Sequence, residues 1–356
     1  MDFQEHRELI KKLKRQITEP PSLDILQLLL SELQYTMQDN PDLGTDERKY
    51  VFSYSGFIKR WSLQRLQQTL DPQWDKLYWD TMLFEARNRV VDSYLIYLEK
   101  NRDPEDRFYE PRRKQFLKMG FTQALQDLID DEIDILSIST VPGSGKTTLG
   151  EMFMSGFMGW FPDLCNLFSS HSGHVTRMVY QVVCNIIGIG LKPGQMPEYT
   201  WREIFPNVEV ESNNANEQEI NLGKFKPFKT LTCRALGASQ TGVTRCEGIL
   251  YCDDLCSGIE MALSKIRLDK LWTMYSTDLK TRKKKGKRGR TCKELHIATR
   301  WSVWDVIGRI KTIYQSNKRC RFISVPDIDP ATGESNFDYD YGCLLYTSDA
   351  ADDLLC

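Results

Sequence analysis

The sequence predicts an α/β fold in which a mainly parallel sheet is flanked by helices and preceded by a helical N-terminal region. Three observations carry that expectation. From Pro111 onward, short apolar and β-branched runs alternate with stretches of helical periodicity, the pattern of strands joined by crossover helices. The first such run, Ile133–Thr140, passes through a glycine-rich turn directly into a helical pattern. Before residue 109, apolar residues recur at helical spacing.

Taken in order, the opening MDFQEHRELIKKLKRQ is a charged amphipathic helix pattern without the apolar centre of a signal peptide. Ile17–Met37 and Leu63–Leu98 continue the helical spacing, punctuated by Pro20-Pro21 and Asn40-Pro41. No catalytic constellation stands out there, so residues 1–108 read as a helical scaffold or docking region. The alternating domain follows at 109–328. Strands are expected at Ile133–Thr140, Cys165–Ser169, Lys229–Arg234, Gly248–Cys252, Glu294–Thr299 and Arg321–Val325. Helices are expected at Lys146–Trp160, about His174–Ile187, Ile259–Leu279 and Trp304–Tyr314. Pro193–Glu219, polar and irregular, and the basic run Lys280–Arg290 read as surface excursions.

Composition bounds the class. The 356 residues suit about two domains at ~150 residues each. With 47 basic and 49 acidic residues the net charge is −2, so only local patches could meet a nucleic acid. No apolar run approaches the ~20 residues needed to cross a bilayer, and no membrane partner is expected. Ten cysteines without a CxxC pair or regular spacing read as reduced, intracellular thiols. Secreted, membrane, collagenous and disordered classes are set aside.

The chemistry begins at Thr140-Val-Pro-Gly143-Ser144-Gly145-Lys146-Thr147-Thr148, between a buried-strand pattern and a helix. That is the setting of a P-loop. Its glycines let backbone N–H groups turn inward around phosphate, and the helix N-terminus adds partial positive charge. Lys146 would reach the β- and γ-phosphates of ATP, and Thr147 would ligate Mg²⁺. Thr140 stands where the first glycine usually sits. Downstream, Gly248-Ile-Leu-Tyr-Cys-Asp253-Asp254 ends a strand pattern in two acids. Asp253 would hold Mg²⁺ through water, and Asp254 would orient or deprotonate the attacking water. Glu260 is the alternative base, though helix capping also explains it. In His296-Ile-Ala-Thr299-Arg300-Trp301, Thr299 suits a polar strand tip that reports hydrolysis. Arg300 reads as a phosphate sensor or a structural salt bridge, and Trp301 and Trp304 as packing.

These motifs, in this order and spacing, resemble the large terminase subunit of tailed bacteriophages. The blocks TGVTRCEGILYCDD, HIATRWSVWDVIGRI and SVPDIDPATGESNFDYDYG are similar to that family, and the resemblance covers about Arg112 to Gly342. It implies an additional-strand P-loop ATPase that pumps double-stranded DNA into a procapsid. It further implies a portal protein and small terminase subunit as partners, a homo-oligomeric ring during packaging, and the host cytoplasm as location. Asp253 and Asp254 take the metal and catalytic-acid positions, and Thr299 matches the coupling motif. Arg245, in the turn Gly242-x-x-Arg245, is a candidate phosphate-contacting arginine or an ordinary surface one. Gln115 falls where such ATPases contact adenine.

The family's C-terminal nuclease domain would follow Gly342. Residues 329–342 read as the start of a linker to it, whereas 343–356, CLLYTSDAADDLLC, resembles a translated sequencing-library adapter and reads as a non-native tail. Arg282–Arg290 holds seven basic residues in nine and reads as a DNA-phosphate contact or a solvated loop. His171-x-x-His174 has too few companions for a metal site. The competing functions are a helicase-like ATPase, which would need a second P-loop-like domain, and an inactive docking module.

Overall fold

A computed structural model describes residues 1–192, 194–237, 244–285 and 291–337. The chain divides into two units, Met1–Leu98 and one beginning at Glu99.

The first unit holds five helices: α1 (Phe3–Gln16), α2 (Leu23–Asp39), α3 (Thr45–Thr69), α4 (Pro72–Arg87) and α5 (Val91–Leu98). Local chemistry sets their starts. Asp2 and Glu5 form a reciprocal capping box at α1, Ser22 caps α2, and Asp71 caps α4 with Pro72 in the first turn. The leucines spaced along α2 (Leu26, Leu29, Leu30 and Leu33) share one apolar cluster with Val51, Ile58, Trp74, Leu77 and Phe84. The single periodic stretch Leu63–Leu98 is broken twice, at Leu70 in a left-handed conformation and at Asn88. A buried carboxylate ties the pieces: Glu85 accepts from Ser55 at 2.5 Å and from Lys59 and Ser93.

The second unit opens with α6 (Tyr109–Lys118) and α7 (Phe121–Ile129). It then runs β1 (Ile135–Ser139), α8 (Lys146–Trp160), β2 (Asn166–Ser170), α9 (Gly173–Ile187), α10 (Trp201–Ile204), β3 (Val210–Asn214) and β4 (Glu219–Leu222). It continues through β5 (Leu231–Ala235), β6 (Ile249–Asp253), α11 (Ile259–Ala262), α12 (Lys265–Met274), β7 (Lys293–Ala298), α13 (Val306–Tyr314) and β8 (Cys320–Ser324). The eight strands form one sheet in the order β3-β4-β5-β2-β6-β7-β1-β8. From β5 to β8 every pairing is parallel; the β3–β4 and β4–β5 pairings are antiparallel. The mostly parallel α/β sheet read from the sequence is the one observed. Strand β7 lies between β1 and β6.

Side-chain alternation splits the core. Leu167, Leu250 and Cys252 pack with Leu268, Leu271 and Tyr275 from the α12 segment and with Val306 and Ile310 of α13. Tyr251 and Ile297 face α8, which approaches so closely at Gly150 that a Cβ there would overlap both. Because the central strands are in parallel register, their C-terminal ends share one edge: Ser139 lies opposite Ala298, and Asp253 opposite both Ile297 and Ser170.

Three expectations need correction. Pro193–Glu219 is not wholly irregular, since it contains α10, β3 and the start of β4; β3 sits at an exposed sheet edge and lacks the apolar alternation that marks a half-buried strand. Ile259–Leu279 is not one helix but α11, α12 and a wide π-helical turn at Tyr275–Leu279. The basic run is not wholly a surface excursion, because half-buried Lys283 places its Nζ 2.5 Å from the buried Glu294 of β7. Gly242, Arg290 with the four residues before it, and 343–356 lie outside the described residues. Of the expected linker, the start is folded: Ile328 and Ser335 form an antiparallel bridge, and Phe337 is buried. Among the described residues no helix is long and apolar enough to cross a membrane, and the eight cysteines are free thiols.

Candidate active site

The glycine-rich loop between β1 and α8 is shaped by two left-handed glycines, Gly143 at φ +78° and Gly145 at φ +83°. At Gly145 a Cβ would come within 2.7 Å of the Phe108 ring, so a side chain is excluded by both backbone and space. Thr140, in place of a glycine, has a use: its hydroxyl meets Ser144 Oγ at 2.5 Å across the neck of the loop. Lys146 opens α8 and is almost buried, 5% exposed. Its ammonium donates to the Val141 carbonyl at 3.2 Å and to Thr299 Oγ1 at 3.0 Å. Burial lowers its pKa, and the charges of Asp254 and Asp253 oppose that shift.

Asp253 ends β6 on the face toward α8. It is 2% exposed, and its Oδ1 has no hydrogen-bond partner. Burial, then the charge of Asp254, pushes its carboxyl up to about 7; a hydrogen bond from Thr147 and the charge of Lys146 work the other way. An orphaned, buried carboxylate oxygen beside a threonine hydroxyl is a place where a divalent cation would be satisfied. Among the described residues no three His, Cys, Asp or Glu side chains form a metal cluster. A magnesium site of one carboxylate, one hydroxyl, waters and phosphate oxygens needs none.

Asp254 lies just beyond the strand at φ +40°. Its N–H donates to the Ile297 carbonyl at 2.9 Å, and its Oδ1 accepts from Thr299 N at 2.9 Å. Lys146, Thr299 and Asp254 therefore form one continuous chain of hydrogen bonds across the tips of β7 and β6.

The sequence did not single out Glu151. One helical turn beyond Thr147, it is 6% exposed, and burial followed by the charge of Asp253 raises its carboxyl to about 8. Nor did it single out Phe108 or Arg112, which come against Gly145, with the Arg112 guanidinium 4.7 Å from the Phe108 ring centre. Gln115 sits one turn further along α6, half-buried. Thr148 is half-buried in the first turn of α8.

Three further candidates have other surroundings. Arg245 precedes β6, at the opposite end of the strand from Asp253, where it pairs with Glu247 at 2.5 Å and lies over Phe228. It is not brought to the glycine-rich loop. Arg300 pairs with Asp305 at 2.9 Å, and Asp305 caps α13. Glu260 is exposed in the first turn of α11.

Fold and site together define an α/β protein whose mostly parallel sheet gathers an ammonium, two hydroxyls and two carboxylates at one edge. Neither a protein-family model nor a curated protein matches the chain.

Proposed function

We propose that this chain is a Mg²⁺-dependent ATPase of the additional-strand P-loop class, acting as the motor of a phage terminase that moves double-stranded DNA into a procapsid. The observation that carries the ATPase reading is the meeting of Lys146, Thr147 and the orphaned Asp253 carboxylate at one end of the sheet. The position of β7 between β1 and β6 supports the class. The DNA-packaging part rests on the resemblance of the three sequence blocks and on the basic residues after Arg282. The portal protein, the small subunit, a ring of copies and the host cytoplasm follow from that resemblance.

In this reading the backbone of Gly143, Ser144, Gly145, Lys146, Thr147 and Thr148 cradles the phosphates, with the ammonium of Lys146 on the terminal ones. Thr147 and Asp253 would hold the cation, which when bound neutralises phosphate charge. Asp254 accepts the proton of the attacking water, and Thr299, bonded to both Lys146 and Asp254, senses the state of the site. The test is Lys146→Ala. ATP hydrolysis should fall by at least about a hundredfold, with the circular dichroism spectrum unchanged. Turnover at the wild-type rate in a folded variant would remove the assignment.

A further inference from the structure

One side chain outside this set reaches the β6 tip from the strand on its other side. His171 directly follows β2, whose last residue Ser170 lies opposite Asp253. Its Nδ1 is 2.9 Å from the Asp254 carbonyl oxygen. A carbonyl oxygen only accepts, so Nδ1 carries the proton and is the donor. Ser170 Oγ, 3.4 Å from the same nitrogen, is a longer second contact.

The backbone that this bond holds gives it consequence. Asp254 occupies the left-handed region at φ +40°, where a residue with a Cβ stays only if its surroundings hold it. From the β7 side, Asp254 is held at its N–H by Ile297 and at Oδ1 by Thr299. From the β2 side it is held at its carbonyl by His171. Both neighbours of β6 therefore set the direction of this carboxylate. His171 is itself exposed, so its removal leaves no core cavity.

We propose that His171 is a positioning residue for Asp254: by fixing the Asp254 carbonyl it maintains the turn that aims the carboxylate at the β7 tip, and thereby sets the rate of turnover. The role rests on the ATPase reading. It is specific in its chemistry, because the side-chain amide of asparagine can place an N–H near the position of Nδ1–H, whereas alanine cannot.

The experiment uses the full chain as wild type, His171→Ala, His171→Asn and Lys146→Ala. ATP turnover gives kcat and KM, and amide hydrogen exchange followed by mass spectrometry reads the peptides spanning 250–258 and 295–300. His171→Ala should lower kcat about tenfold with KM within about twofold, and should speed exchange in both peptides. His171→Asn should recover most of both losses, which a general loss of packing would not produce. Wild-type kcat in His171→Ala, unchanged exchange, or an asparagine variant no better than alanine would each overturn the positioning role while Lys146-dependent turnover still stood. Turnover that Lys146→Ala leaves intact would instead reject the ATPase reading, and the positioning role with it.

Discussion

Asp253 and Asp254 are neighbours in sequence with different surroundings, because alternation along β6 turns Asp253 toward α8 whereas Asp254 lies past the strand in a left-handed turn. Asp253 faces α8 and is buried with an unpaired oxygen; Asp254, past the strand, is tied to β7. Their variants should therefore differ. Asp253→Asn should weaken Mg²⁺-dependent nucleotide binding about tenfold or more, whereas Asp254→Asn should spare binding and lower kcat about a hundredfold. Normal hydrolysis by Asp254→Asn together with loss in Glu260→Gln would move the base to Glu260. With the Asp253 carboxyl pushed up to about 7, a cation there competes with a proton. Mg²⁺ titrations should show binding tightening as pH rises from about 6 to about 8, a trend absent from Asp253→Asn. Glu151 adds a stability effect. Its folded pKa of about 8 lies above its ordinary carboxylate value, so the stability it contributes is complete at acid pH and is lost as pH rises through about 8. Asp253 contributes the same sign of slope up to about 7. Melting temperatures between pH 7 and pH 8.5 should accordingly fall less in Glu151→Gln than in wild type. Lys146 and Thr147 were legible because their spacing within a strand–loop–helix unit is itself the signal, and Asp253 because it ends a later strand pattern in an acid. Glu151 was not, since an acid in a helix normally reads as solvent-facing, and only the packing of α8 on the sheet buries it.

At the scale of elements, β7 carries two unrelated jobs. Its end delivers Thr299 to Lys146. Its start buries Glu294, which accepts from Tyr275 at 2.6 Å, contacts His296 at 2.9 Å and pairs with Lys283. Burial opposes ionisation of Glu294, but the His296 hydrogen bond and the Lys283 charge outweigh it and hold the carboxyl far below its usual value. Lys283 is thus half-buried against Glu294, while Lys284 and Lys285 are exposed. Replacing Lys283 by Ala should destabilise the protein by about 3–5 kcal/mol, as when one partner of a buried ion pair is removed, measurable by denaturant unfolding. Replacing Lys284 and Lys285 should leave stability unchanged and flatten the slope of log DNA affinity against log salt. An unchanged slope would assign these two to a solvated loop. The sequence reads Arg282–Arg290 as uniform because the acid that claims Lys283 comes from a strand that pattern alone makes simply buried. The β3–β4 hairpin escaped for the opposite reason: its edge strand buries too little to show a period.

For the whole molecule, a buried carboxylate opens the second unit. Composition places the change at 108, where helical spacing gives way to strand–helix alternation; the structure places it before Glu99. Glu99 is 1% exposed and accepts from the backbone N–H groups of Phe108 at 2.8 Å and Tyr109 at 2.7 Å, capping the start of α6 from ten residues away. Such a long-range cap has no local sequence signature. It also fixes Phe108, the ring against Gly145. Residues 1–98 keep an apolar cluster of their own. Expressed separately, 1–98 should be helical and melt cooperatively by circular dichroism. A second fragment, 99–356, should bind nucleotide with the affinity of the full chain within about twofold, because Lys146, Thr147, Asp253, Asp254 and Thr299 all lie inside it. Beginning that fragment at 109 instead removes a charged cap and the Phe108 ring together. Loss of the cap alone costs about 1–2 kcal/mol, or about 2–8 °C in melting temperature for a domain of this size. The fragment 109–356 should therefore melt several degrees lower than 99–356 and bind nucleotide more weakly. Equal melting and binding by the two fragments would return the boundary to 108 and leave Glu99 without a part in the site.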